Sequence, residues 1–339
     1  MLASMGDIFL LVILPILLIV GLGALVQHYK PMSIPTLSLL NIYLLVPAFL
    51  FVKIYESRLA LSEIGWIVLG AFLPMALLGL PMYLVLRRCR AGGNTIAALV
   101  VGGLVCNAGN YGLPLAELLY GVRGLTFPGM QTPADGPAVQ ALVVMTSNFT
   151  IWCVGYFILA LASGRGMKQA AGYFKLPMLW VLIAAFSLRA INQRLYPAGD
   201  PTASAAGGNL IPAWMMYPLQ SVGQAVVPVA LITLGAQLRQ RARWPRWSLI
   251  GPVLSVKLLI LPAVTALVVW AMGLWPWPGA QLVIAAAAPT AVNTLLLTLE
   301  LEGDADLAAD CVFWTTLISA VTVTVVIVVV TYAAGGAVG

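Results

Sequence analysis

Ten apolar runs, most of them long enough to cross a bilayer, take up nearly all of this chain of 339 residues. They lie near 8–26, 36–54, 64–86, 94–120, 137–162, 175–194, 214–238, 248–273, 280–300 and 307–333. A hydrocarbon layer roughly 30 Å thick needs about 20 helical residues to span it. Inside that layer every backbone N–H and C=O must find a partner within the protein. Runs of this length therefore fold as membrane-crossing helices, whereas a transmembrane barrel would alternate over stretches of about ten residues. Composition agrees: 8% of the residues are charged, against about 25% in soluble domains. The expectation is an all-α polytopic membrane protein with almost nothing outside the bilayer.

The net charge of +6 would suit nucleic acid, but the basic residues sit in short loops between apolar runs, which is the pattern of membrane topology. Lys30, then Arg87, Arg88 and Arg90, then Arg165, Lys168 and Lys175, then Arg239, Arg241, Arg243 and Arg246 fall in alternate loops. The positive-inside rule puts both termini on the extracytoplasmic side, and short loops with basic clusters suggest a bacterial inner membrane. Glu302, Asp304 and Asp306 dissent from that assignment, but acids count little in the rule. Cys89, Cys106, Cys153 and Cys311 show neither CxxC nor Cys/His spacing, so no metal site or disulfide framework is expected. No basic segment precedes the first run, and His28 reads as an interfacial residue.

The two halves resemble each other. Pro47 and Pro228, Trp66 and Trp247, Gly70 and Gly251, and Pro81 and Pro262 each stand 181 residues apart. In the following span Asn110 and Asn293, and Glu117 and Glu300, stand 183 apart, while Leu14-Pro15 and Leu176-Pro177 stand 162 apart. An offset kept to within two residues across three spans argues against chance. With an odd number of spans in each half, the second half must be inverted, as in many secondary transporters. The division is 1–162 for the first five-helix repeat, 163–174 for a cytoplasmic linker and 175–339 for the inverted repeat.

Two matching spans carry residues that an apolar helix does not want. The fourth reads Cys106-Asn-Ala-Gly-Asn-Tyr-Gly-Leu-Pro-Leu-Ala-Glu117, and the ninth holds Pro289, Thr290 and Asn293. Pro114 lacks an N–H and crowds the preceding turn, and Gly109 and Gly112 permit unwinding. Paired helix breaks in corresponding positions point to a transport site near the midplane. The bland alternative is a pair of proline kinks with Asn as interhelical glue. Two half-helix N-termini at such a crossing suit a carboxylate, and two C-termini call for a cation. Lys257, about nine residues or roughly 14 Å into the eighth run, is the candidate to compensate those carbonyls. Glu117 and Glu300 lie seven residues past the paired asparagines and read as interfacial or as candidates for proton coupling. Asn148, mid-span in the fifth run, is a further candidate contact. Asn41, Thr146, Ser147, Gln224 and Gln237 read as interhelical hydrogen bonds.

These residues carry a resemblance to the auxin efflux carrier family, which includes plant PIN-type carriers and bacterial malonate-permease-like proteins. The stretches concerned are Asn107-Ala-Gly-Asn-Tyr-Gly-Leu-Pro114, Val227-Pro-Val-Ala-Leu-Ile-Thr-Leu-Gly235, Lys257-Leu-Leu-Ile-Leu-Pro262 and Ala288-Pro-Thr-Ala-Val-Asn293. The resemblance implies ten helices in two inverted repeats with crossed, broken fourth and ninth helices, similar to sodium/bile-acid symporters and sodium/proton antiporters. It implies a scaffold of the first, second, sixth and seventh spans, with the remainder moving as an elevator, and a possible homodimer through that scaffold. Substrate contacts would fall to Asn107, Asn110 and Pro114, with Pro289 and Asn293 opposite. The loop from Ser163 to Tyr173 is far shorter than its plant counterpart, so phosphorylation control of the plant kind is not expected.

The resulting reading is a secondary transporter of small organic anions, carboxylates above all, working by alternating access, with no cofactor, metal or nucleic acid. Its alternative is a sodium-coupled symporter of larger anions of the bile-acid kind. No paired carboxylates or His/Cys cluster suggest an intramembrane enzyme, and no GxxxxGK[ST] suggests ATP-driven transport.

Overall fold

A computed structural model of the chain describes residues 5–59, 61–88, 92–151, 177–196, 209–241, 245–300 and 304–337. In chain order the helices are α1 Met5–Tyr29, α2 Ile34–Glu56, α3 Leu61–Arg88, α4 Gly93–Leu104 and α5 over 108–122. There follow α6 Asp135–Phe149, α7 Pro177–Leu195, and α8 over 213–241, in which Ala213–Gln224 and Val226–Arg241 meet at Ala225. The last are α9 Trp247–Ala271, α10 Gly279–Ala286, α11 Val292–Glu300 and α12 Ala305–Ala333. Six of them, α1, α2, α3, α8, α9 and α12, are long and apolar enough to cross a membrane unaided. The fourth and ninth apolar runs are each two half-helices, α4 with α5 and α10 with α11. The expected linker over 163–174 lies outside the described residues.

Four of the prolines within these helices share one accommodation. A proline has no N–H to donate and clashes with the carbonyl four residues back. Widening the preceding turn to an i→i+5 pattern relieves the clash. Wide turns at Phe9–Ile13, Asn41–Leu45, Ala108–Gly112 and Val256–Ile260 each end two residues before a proline: Pro15, Pro47, Pro114 and Pro262. For Pro15 the carbonyl four residues back belongs to Leu11, and it accepts from Arg123 Nε and Nη2 at 3.2 and 3.1 Å.

The helices fall into two groups by packing. α1 lies against α8, and α2 against α7 and α8. In the other group α3 packs on α4, α6 and α9, α9 on α10, and α12 on α4 and α11. The α1–α8 contact is a backbone approach. A Cβ built on Gly23 would stand 2.3 Å from the Ile232 carbonyl oxygen, and one on Gly235 1.9 Å from that of Val20. With no hydrophobic drive between helices in lipid, such closeness through small residues supplies the packing.

Two basic residues lie within helices. Arg189 is inside α7 and buried, and donates to Ser57 Oγ at 3.2 Å and to the Leu59 carbonyl. Lys53 belongs to α2. In both cases the aliphatic stem extends the helix and only the head needs a polar partner. Of the acidic loop before α12, Asp304 caps the helix by accepting from the Leu307 N–H at 3.0 Å and holds Arg246 at 2.9 Å.

Candidate functional site

The break between α4 and α5 is short. After Leu104 the backbone turns extended, and helix resumes at Ala108. Its counterpart runs from Ala287 to Ala291, between α10 and α11. These two links cross antiparallel. The Asn107 N–H donates to the Pro289 carbonyl at 2.7 Å, the Ala291 N–H donates to the Val105 carbonyl at 3.1 Å, and Cys106 faces Thr290 as a bridge pair. Each broken span thereby supplies the backbone partners the other lacks, which is the condition for non-helical chain at membrane depth.

Side chains complete the accounting. Thr290 Oγ1 donates to the Gly102 carbonyl at 2.6 Å, and the Thr290 N–H donates to Thr315 Oγ1 at 3.0 Å. The Ala108 carbonyl accepts from Gln140 Nε2 at 2.9 Å. Behind it runs a buried relay: Gln281 Nε2 donates to Gln140 Oε1 at 2.7 Å, and the Tyr120 hydroxyl donates to Gln281 Oε1 at 2.7 Å. Lys257, fully buried, donates from Nζ to the Ala286 carbonyl at 2.9 Å and to Cys106 Sγ at 3.0 Å. Ala286 is the last residue of α10, so the ammonium sits on the negative end of that half-helix.

Beside the crossing is a cavity of about 60 Å³, room for some four to six waters at roughly 10–15 Å³ each. One wall is Asn107, Gly109 and Asn110 from the first turn of α5, with Asn293 from that of α11 and Ser147 and Asn148 from α6. The opposite wall is Asn41 of α2, Met178 of α7 and Gln237 of α8. The cavity thus lies where the two helix groups meet. Among the described residues none that lines it is charged. The first N–H groups of a helix have no intrahelical partner and carry partial positive charge, so two half-helices direct that polarity at one small space.

Several lining groups are unsatisfied. Asn107 Nδ2, Ser147 Oγ, Asn41 Oδ1 and Gln237 Oε1 are buried atoms without a hydrogen-bond partner among the described residues. Leaving one such group unpaired costs about 1–3 kcal/mol, so four around one space make it a place suited to a polar ligand. Asn148 is partly engaged: its Nδ2 donates to the Val144 carbonyl at 2.8 Å, and its Oδ1 accepts from Asn293 Nδ2 at 3.3 Å.

The candidates read from the sequence are distributed as follows. Asn107, Gly109, Asn110, Asn148 and Asn293 share the cavity. Pro289 and Thr290 are in the crossing link, with Lys257 beside it. Gly112 lies one turn further on, where an added Cβ would be 2.2 Å from Gln140 Nε2. Pro114 stands in α5 beyond the gap rather than in it. Glu117 is away from the cavity, ion-paired with Lys53 at 2.8 Å. Glu300 ends α11, and its side chain lies outside the described residues. Sequence reasoning assigned Asn41, Ser147 and Gln237 only interhelical bonds and passed over Gln140, Gln281 and Tyr120. Two glutamines deep in apolar runs were the available signal.

Gln140→Leu is expected to lower thermal stability by about 2–6 kcal/mol, because it strands both the Ala108 carbonyl and the Gln281 amide at about 1–3 kcal/mol each. Thermal unfolding in detergent measures this. A shift no larger than that of a surface substitution would show that the relay does not hold the break.

Comparison with known proteins gives two findings. Residues 173–327 match the family described as membrane transport protein. An uncharacterized transporter of Methanothermobacter thermautotrophicus is 26% identical over 319 residues, covering 91% of this chain and 94% of that protein.

Proposed function

We propose, from the match of residues 173–327 to the membrane transport protein family and the likeness to an uncharacterized transporter, that this chain is a secondary transporter of small organic anions, carboxylates above all, bound at the α4–α5/α10–α11 crossing. The observation that carries the reading is the cavity there, faced by two half-helix N-termini and ringed by amide and hydroxyl groups that have no partner among the described residues. Asn107 and Ser147 are the donors a carboxylate oxygen would meet, Asn110 and Asn293 orient it, and Asn148 holds Asn293 in place. A space for about four to six heavy atoms suits a short-chain acid better than a bile-acid-sized anion. Lys257 already fills the carbonyl end where a sodium ion would bind, which weighs against sodium coupling.

The transport cycle we propose is alternating access of the elevator kind. The scaffold is α1, α2, α7 and α8 and the moving body is the rest; the whole chain is a ten-span fold of two inverted five-helix repeats with both termini extracytoplasmic. The close packing within each group and a cavity lined from both support this division. Movement would have to break Lys53–Glu117, which joins α2 to α5, so Glu117 is the candidate for coupling the cycle to protons. The setting is a bacterial inner membrane.

The test is reconstitution in liposomes with substrate-evoked currents across a carboxylate panel, with and without sodium. The panel runs from acetate and malonate to indole-3-acetate and a bile acid. A small acid should evoke current without sodium, and Asn110→Ala should reduce it at least about tenfold, the factor for one lost hydrogen bond to a charged group. Currents that need sodium, or that survive Asn110→Ala unchanged, would overturn the reading.

A further inference from the structure

Cys106 occupies a position that the transport reading does not use. The residue lines two spaces: the cavity at the crossing and a second of about 10 Å³ bounded by Ala71, Met75, Thr265 and Ala286. Lys257 Nζ is 3.0 Å from it, and the Ala286 carbonyl 3.7 Å. Among the hydrogen bonds of this ammonium there is no carboxylate; its partners are one carbonyl and this sulfur. Buried thiols packed in apolar surroundings are inert, and reactive ones combine an electropositive neighbour with access. Cys106 has both: the ammonium in contact, and a polar cavity that it lines together with Asn107, whose Nδ2 has no partner among the described residues and which is only 4% exposed. Cys311 is the internal contrast. It is equally buried, but its sulfur packs against Gly102, where an added Cβ would stand 3.1 Å away, and it lines neither space.

We propose that Cys106 is a covalent modification site for small electrophilic carboxylates that enter by the substrate route. This rests on the anion-carrier reading: the cavity concentrates the carboxylate, and the sulfur then attacks its electrophilic carbon. With an α-haloacid such as iodoacetate, the S–C bond forms as C–I breaks, iodide leaves with the electron pair, and the thiol proton passes to water. The carboxymethyl group then fills the cavity and blocks it. Lys257 is the positioning residue, holding the sulfur and countering its negative charge during attack.

The experiment treats the full-length protein in liposomes with iodoacetate or with neutral iodoacetamide, maps the alkylated cysteines by peptide mass spectrometry and records currents on the same preparation. Glutathione, treated alongside, gives the preference of an unconfined thiol between the two reagents. At Cys106 the iodoacetate-to-iodoacetamide ratio should exceed that of glutathione by roughly tenfold, the size of effect two helix N-termini exert on an anion. Transported acid should slow the labelling, Cys311 should stay unmodified, and current should fall in step with Cys106 carboxymethylation. Cys106→Ser should keep its own current through the same treatment, and Lys257→Met should slow labelling at Cys106. A ratio equal to that of glutathione, or labelling of Cys311 as fast as Cys106, overturns the proposal. If carboxylate currents are intact when that happens, only the modification site falls; if no carboxylate evokes current, the transport reading falls with it.

Discussion

Lys257→Met is expected to remove most of the substrate-evoked current while leaving thermal stability close to that of the unmodified protein, and Lys257→Ala to lose both. The magnitudes separate the two substitutions. A lysine at membrane depth costs about 2.5–3.5 kcal/mol on insertion scales, and either substitution relieves that. Either also strands the Ala286 carbonyl, now held at 2.9 Å, at about 1–3 kcal/mol. For methionine, which keeps the volume of the stem, these terms nearly cancel. Alanine adds an unfilled cavity worth about 2–5 kcal/mol, so it should be clearly destabilising. Transport does not share the cancellation, because the carbonyl end of α10 loses its counter-charge in both. Unfolding in detergent and currents in liposomes read the two effects separately. Full current in Lys257→Met would mean that the ammonium compensates nothing that transport needs.

The second large effect is expected at Gly235. Its added Cβ would fall 1.9 Å from the Val20 carbonyl oxygen and 2.9 Å from the Ala24 nitrogen. Both obstacles are backbone, so no rotamer change relieves them and α1 must move bodily away from α8. Overpacking typically costs about 1–3 kcal/mol and occasionally more. Gly235→Val should exceed that range and leave little monodisperse protein on size-exclusion chromatography. Gly251 is the control: a Cβ there meets nothing within 4 Å, and a helical Gly→Ala change gains about 0.5–1 kcal/mol. If Gly251→Ala and Gly235→Val behave alike, α1 and α8 do not form the rigid contact described.

The positions of the apolar runs and the two interruptions were legible in the chain itself. Hydrophobic span length and the cost of unpaired backbone in lipid are local properties, and the wide turns before Pro15, Pro47, Pro114 and Pro262 answer a local clash. What the α5 proline does, however, was misread at this level. Pro114 is absorbed by the wide turn ahead of it, and the gap falls at 105–107, where the chain pairs with residues 289–291. Sequence reading sees a helix-breaking residue but not which segment stands ready to receive the freed hydrogen bonds.

The sequence by itself determined the class of this protein, a multi-pass membrane protein, because the exclusion of polar groups from hydrocarbon acts on every residue independently of its partners. It also marked Asn107, Asn110, Asn293 and Lys257 as out of place in an apolar run. Only the tertiary structure decided what meets them. It put Lys257 on Cys106, 151 residues away, and Asn293 on Asn148, 145 away. It paired Glu117 with Lys53 and turned Asn41 and Gln237 toward the same cavity as Ser147. Each of these polar groups had several partners in reach of its chemistry. The choice among them was made by helix packing, through contacts such as Gly23 and Gly235 that set how closely whole helices approach.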